Sequence, residues 1–184
     1  SLMVYENIVI SGGGSKTCSM IGALSCLKEN HLLDKVNNFI GVSAASIVLL
    51  LVSINLDLPN IFNTCNQLNT IIQQLSNQNI VDSIIFENGL SKGKNLVDFL
   101  NKILYQEINI KNPTFLELYK ITQKNLSIVI TNLTSNKLEV FNYENYPNFK
   151  VTEAIRMSCG LPFLFSPVLI FEINIRYNNI NIRN

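Results

Sequence analysis

The sequence predicts an α/β fold built on a mainly parallel sheet covered by helices, and three observations predict it. A short β-rich run, Glu6–Ser11, ends in three consecutive glycines. A second apolar run, Val36–Val42, passes directly into Ser43 and then into an apolar segment of helical length. Between the two runs, Met20, Ile21, Leu24 and Leu27 recur at the spacing of one helix face. Strand, glycine turn, helix, strand, tight turn, helix is a βαβα start, and strands joined through a helix lie parallel.

The elements follow in order. Ser15–Asn30 is the first helix and Ala44–Asn55 the second, apolar all round and therefore buried. Pro59–Leu75 is amphipathic, as is Lys94–Tyr105 after a turn expected over Gly89–Gly93. Pro113 opens a further helix from its first turn. Leu126–Leu133 reads as a buried strand with Lys137–Asn142 as its hairpin neighbour. Thr152–Ser158 is a short helix stopped before Gly160 and Pro162, and Val168–Tyr177 a last strand. No internal repeat and no linker interrupts the chain, so residues 1–184 are expected to form one domain.

Composition narrows the function classes. The chain is 47% hydrophobic and 15% charged, ordinary for a folded protein. A net charge of +1 gives no electrostatic case for nucleic acid and no basic tail for an anionic membrane. Cys18, Cys26, Cys65 and Cys159 form no CxxC pair and His31 is the single histidine, so no zinc site is expected and the thiols read as reduced and cytoplasmic. The first six residues lack a basic region followed by an apolar stretch, so no targeting segment is expected, and Ser1 and Leu2 ahead of Met3 read as an expression scar. Ile47–Ile54 is far shorter than the roughly 20 residues that span a bilayer, so no transmembrane segment is expected. Asparagine and isoleucine, 27 and 24 residues, reflect AT-rich codons and carry no functional weight.

Two motifs carry chemistry. In Gly41-Val42-Ser43-Ala44-Ala45 a serine stands between a buried strand and a helix with small neighbours, which suits a nucleophile elbow. The amide after the serine and the helix N-terminus would then face a developing oxyanion. Ala45 stands where the GxSxG pattern has its last glycine; the plain alternative is a serine capping a buried helix. The second motif is Gly12-Gly13-Gly14-Ser15-Lys16-Thr17, whose glycines let the backbone turn and aim amides at an anion. It reads either as a phosphate loop, with Ser15 where GxxxxGK[ST] has glycine and a shorter span, or as an oxyanion hole for an acyl-transfer serine. Parallel neighbouring strands bring both turns to one sheet edge, where the two motifs explain each other. His31 lies in the polar turn KENHLLDK at a helix end and is a poor base, so a carboxylate dyad is the simpler activation for Ser43.

ISGGGSKT and IGVSAAS resemble the opening of the patatin-like phospholipases, which pair a GGGx[KR]G loop with a GxSxG elbow. FENGLSKGKNLVDFLNKIL is similar to that family's helix after its GL-x-x-G turn, PTFLELYKITQKNLSIVITNLTSNKLEVF to its helix-plus-hairpin segment, and VTEAIRMSCGLPFLFSPV to the segment behind the site. The resemblance covers roughly residues 7–168, with 169–184 a divergent tail. It implies a three-layer α/β/α fold, a Ser-Asp dyad with Ser43 as nucleophile, and Gly12, Gly13 and Gly14 around the oxyanion. Lys16 and Gly41 would support the site, with no metal or cofactor. The implied partner is a phospholipid or other acyl-ester lipid at a membrane surface, for a cytoplasmic protein meeting membranes peripherally.

The sequence departs from the family at Thr17 and Ala45, both glycines in the pattern. The family's aspartate lies in a DG[GA] motif soon after the segment matched by FSPV, whereas no aspartate follows Asp98 and no glycine follows Gly160. If Tyr177 matches the tyrosine before that motif, Asn179 stands at the aspartate position; Glu172 is a weak substitute within a strand pattern. Three functions follow: a serine lipid acyl hydrolase of phospholipase A type; a catalytically impaired lipid-binding or regulatory module, or a shortened or frame-altered form of an active parent; and a nucleotide-binding protein using GGGSKT.

Overall fold

Asn7–Ile10 and Asn38–Val42 form β1 and β2, and pair in parallel with Ile10 opposite Gly41. The computed structural model describes residues 4–76, 88–160, 176–177 and 180–181. Asn125–Asn132 (β3) continues the parallel run beside β2, and Lys137–Phe141 (β4) closes it antiparallel, giving a mixed open sheet in the order β1-β2-β3-β4. Arg176–Tyr177 (β5) pairs antiparallel with Ile180–Asn181 (β6). The other residues of the expected last strand, 168–175, lie outside the described residues.

Register decides which side chains meet the core. Ile8, Phe39 and Leu126 share one row and Ile128 and Phe141 another, and all face the apolar cluster. On the opposite face Val9, Leu138 and Val140 stay exposed. The main contributor on the core side is Ala44–Ser53 (α2), where Ala45 through Leu51 are all buried. Its apolar perimeter is that of an interior helix, and each aliphatic side chain so buried stabilises the fold by roughly 1.5–3 kcal/mol. Thr17–Glu29 (α1) presents Ile21 and Leu24 to the same core, and Leu58–Ser76 (α3) presents Ile61, Cys65 and Leu68.

Asn88–Ile108 (α4) corrects the turn expected over Gly89–Gly93, since both glycines lie within the helix. A Cβ on Gly93 would fall 2.0 Å from Arg156 Nε, so the bare backbone there is what lets the guanidinium approach. Phe115–Thr122 (α5) starts two residues after Pro113, with Thr114 as N-cap in a complete capping box: Thr114 Oγ1 accepts from the Glu117 amide at 3.2 Å, and the Thr114 amide donates to Glu117 Oε2 at 2.7 Å. Val151–Ser158 (α6) packs on β3 and carries Val151, Ala154 and Ile155 into the core. Asn55, Asn109, Asn112 and Asn136 adopt φ values of 64, 56, 56 and 54°, so asparagine fills left-handed positions that glycine often takes. Among the described residues no helix is long and apolar enough to cross a membrane.

Candidate active site

Ser43 sits one residue past β2 and one before α2, at φ 55° and ψ −130°. A side chain at positive φ is strained, and such strain persists only where the surroundings over-determine it. Here they do. The Ser43 carbonyl accepts from the Ser46 amide at 2.9 Å and from Ser46 Oγ, so the first turn of α2 folds back on the elbow. The Ser43 amide donates to Ser158 Oγ at 2.8 Å, and Ser158 Oγ–H donates to the Val129 carbonyl at 2.7 Å. Ser43 makes no side-chain cap to α2, which removes the capping alternative.

Gly41 is required by close approach. A Cβ there would lie 2.9 Å from both Cα and N of Ser46 and 3.2 Å from the Ala45 carbonyl carbon, all backbone atoms. Ala45, fully buried in α2, takes the place of the pattern's second glycine without opening the turn.

The parallel register brings the glycine loop to the elbow. A Cβ on Gly12 would be 3.3 Å from Ser43 Cβ and 3.6 Å from the Val42 carbonyl oxygen. Gly13 packs over the Met20 terminal methyl, 2.3 Å from where a Cβ would stand, and Gly14 takes φ 47° as it enters a 3₁₀ turn over Gly14–Lys16. That turn uses the Lys16 and Thr17 amides, on the Gly13 and Gly14 carbonyls, and not the Gly13 and Gly14 amides. The first amides of α2, Ala44 and Ala45, also lack helical partners by geometry. Thr17, where the family pattern has glycine, is buried and donates its hydroxyl to the Gly14 carbonyl at 2.6 Å, tying off the turn from within. Lys16 is exposed at the end of the turn.

The Cys159 thiol lies against the Ser43 side chain. Burial pushes it up to about 12, opposed by the hydrogen bond from the Ser43 hydroxyl, so it stays a neutral thiol. Among the described residues no carboxylate is hydrogen-bonded to Ser43. His31 lies beyond the C-terminal end of α1, the end away from the glycine loop, with Nδ1 3.1 Å from Asp34 Oδ2 on the surface. Asn179 and Glu172 fall outside the described residues. Among the described residues no cluster of His, Cys, Asp and Glu could hold a metal.

The structure thus brings Ser43, Gly41, Ala45 and Gly12–Gly14 to one sheet edge. Sequence reasoning missed Ser46, Ser158 and Cys159. The last two follow from a contact 115 residues apart in sequence, for which the chain carries no local signal.

Comparison with known proteins identifies the family. A family model described as patatin-like phospholipase matches residues 8–177. The chain is 27% identical over 175 residues to "Probable lipid hydrolase 463L" of Invertebrate iridescent virus 6, covering 95% of this chain and 57% of that protein. It is 26% identical over 172 residues to the uncharacterized protein R571 of Acanthamoeba polyphaga mimivirus, covering 89% of this chain and 54% of that one. The chain therefore spans just over half the length of these relatives. Among solved structures it superposes on full-length ExoU of Pseudomonas aeruginosa, in complex with SpcU, with a TM-score of 0.58 at 19% identity, over 85% of this chain and 38% of that one. On VipD of Legionella pneumophila the TM-score is 0.57 at 18% identity, over 91% and 44%. At those identities the superpositions show the fold. With the family match across most of the chain, this protein belongs to the patatin-like phospholipase family, a family of lipid hydrolases.

Proposed function

We propose that the chain carries the nucleophile and oxyanion site of a serine lipid acyl hydrolase of phospholipase A type, acting on acyl esters of glycerophospholipids at a membrane surface. The observation that carries this is the strained Ser43 at a strand–helix turn with Gly12 so close that a Cβ on it would fall 3.3 Å from Ser43 Cβ. Such an arrangement places an Oγ beside amides that lack helical partners and is costly to maintain for a merely structural serine. Ser43 Oγ attacks the ester carbonyl, its proton passes to a base, and the oxyanion collects on amides of the Gly12–Gly14 loop and the start of α2. The alkoxide leaves with a proton as the lysolipid alcohol, and water hydrolyses the Oγ acyl ester to free fatty acid and Ser43. The family's base is an aspartate; if Tyr177 matches the tyrosine before that motif, Asn179 stands at its position, and an asparagine cannot accept the proton.

The test is incubation with a lipid-like fluorophosphonate followed by intact mass. An activated Ser43 forms an Oγ–P bond and releases fluoride, its own proton going to solvent, and the adduct disappears in Ser43→Ala. Adduct formation that persists in Ser43→Ala sinks the reading. No adduct on folded wild type favours the second reading, which the asparagine at position 179 supports: a lipid-binding module without turnover, which would bind phosphatidylcholine vesicles and release no fatty acid.

A further inference from the structure

We infer that Ser158 is a positioning residue for the nucleophile, holding the strained backbone of Ser43 in its reactive conformation; this rests on Ser43 being the nucleophile. Position 43 must keep a left-handed φ against a steric penalty, so something has to hold both of its peptide groups. On the C-terminal side Ser46 holds the carbonyl with two donors, both from within α2. On the N-terminal side the local chain offers nothing: the Ser43 amide is past the β2 ladder and has no helical acceptor. Its acceptor is Ser158 Oγ, brought in on α6 from 115 residues away.

A hydroxyl suits this position because it donates and accepts at once. Ser158 Oγ accepts from the Ser43 amide and its O–H donates to the Val129 carbonyl, and Val129 is the β3 residue opposite Val42 in the parallel register. The elbow is thereby fixed to the neighbouring strand as well as to the helix. Cys159, the next residue, is buried beside the same serine. If the amide were released, the peptide between Val42 and Ser43 could rotate toward an ordinary φ and swing Oγ off the glycine loop.

Two experiments test this. In the wild type, the Ser43 amide should exchange with deuterium at least about 100-fold more slowly than an unstructured amide, although it lies in a turn outside both flanking elements. Fast exchange would overturn the inference without reference to any reaction. In variants, the fluorophosphonate should label Ser158→Ala about tenfold more slowly at saturating probe, with unchanged probe affinity, the loss of one part-buried hydrogen bond to the reacting residue. Ser158→Thr, which keeps the hydroxyl, should recover most of the rate. Labelling of Ser158→Ala at the wild-type rate, or equal slowing in the alanine and threonine variants, would refute the role of the hydroxyl. An unlabelled wild type would instead count against Ser43 as nucleophile, while the exchange measurement would still decide on the brace.

Discussion

Replacing Gly41 by alanine tests how tightly the elbow is closed. The added methyl would sit 2.9 Å from Ser46 Cα and N, about 0.5 Å inside ordinary contact, and all three nearest atoms are backbone, so no side chain can rotate away. The start of α2 must lift instead. Overpacking of this kind costs roughly 1–3 kcal/mol. For a chain of 184 residues, at about 2–4 °C per kcal/mol, the melting temperature should fall by roughly 2–12 °C. The same displacement carries Ser43, whose carbonyl is bonded to Ser46, off the glycine loop. Since a misplacement of about 1 Å costs on the order of 100-fold in rate, half of it should slow fluorophosphonate labelling about tenfold. Gly22→Ala is the internal control: that glycine is exposed within α1 and a Cβ there meets nothing within 4 Å. Alanine at 22 should raise stability by roughly 0.5–1 kcal/mol and leave labelling unchanged. A Gly41→Ala protein that melts within a degree of wild type and labels at the same rate would refute the close packing of α2 on the end of β2.

Ser43→Gly should remove the adduct yet stabilise the fold by about 1 kcal/mol, since glycine takes φ 55° without strain; a lower melting temperature would contradict the strain at the elbow. Iodoacetamide at pH 8 should modify the exposed Cys18 and Cys26 in the folded protein and spare Cys65 and Cys159, whose thiols burial pushes up to about 11 and about 12; intact mass counts the adducts, and four on folded protein would refute the burial. Thr114→Ala should cost about 1 kcal/mol through the lost capping box, read by chemical denaturation. Glu117 is held below its ordinary 4.5, chiefly by the Thr114 backbone amide, so the stability it contributes is present above that value and fades as the pH falls through its lower folded value. Glu117→Gln should flatten that part of the stability curve, and an unchanged acid limb would discount the bond.

The parts of the fold readable from the sequence are those whose cause is local. The β1–glycine–helix start, the run of β2 into Ser43 and the β3–β4 hairpin follow from periodicity and turn residues, and the meeting of Gly12 with Ser43 follows from two parallel strands ending together. The misreadings have distant causes. Glycines at 89 and 93 look like a turn until Arg156, from another helix, is seen to occupy the space a side chain at 93 would fill. Pro113 drew the helix start too early, although Thr114 and Glu117 carry the capping-box signal in plain view. Ser158 is one hydroxyl among many in the sequence, and only its placement against an amide on another element distinguishes it.

The bond between Ser43 and Ser158 also sets an order of assembly during synthesis. The two residues are 115 positions apart, and a ribosome adding about 5–20 residues per second makes the second roughly 6–23 s after the first. For that interval a nascent chain holds the serine and its glycine loop without the group that fixes the elbow. The elbow would thus acquire its braced geometry only when α6 docks on β3, whatever the state of the rest of the chain.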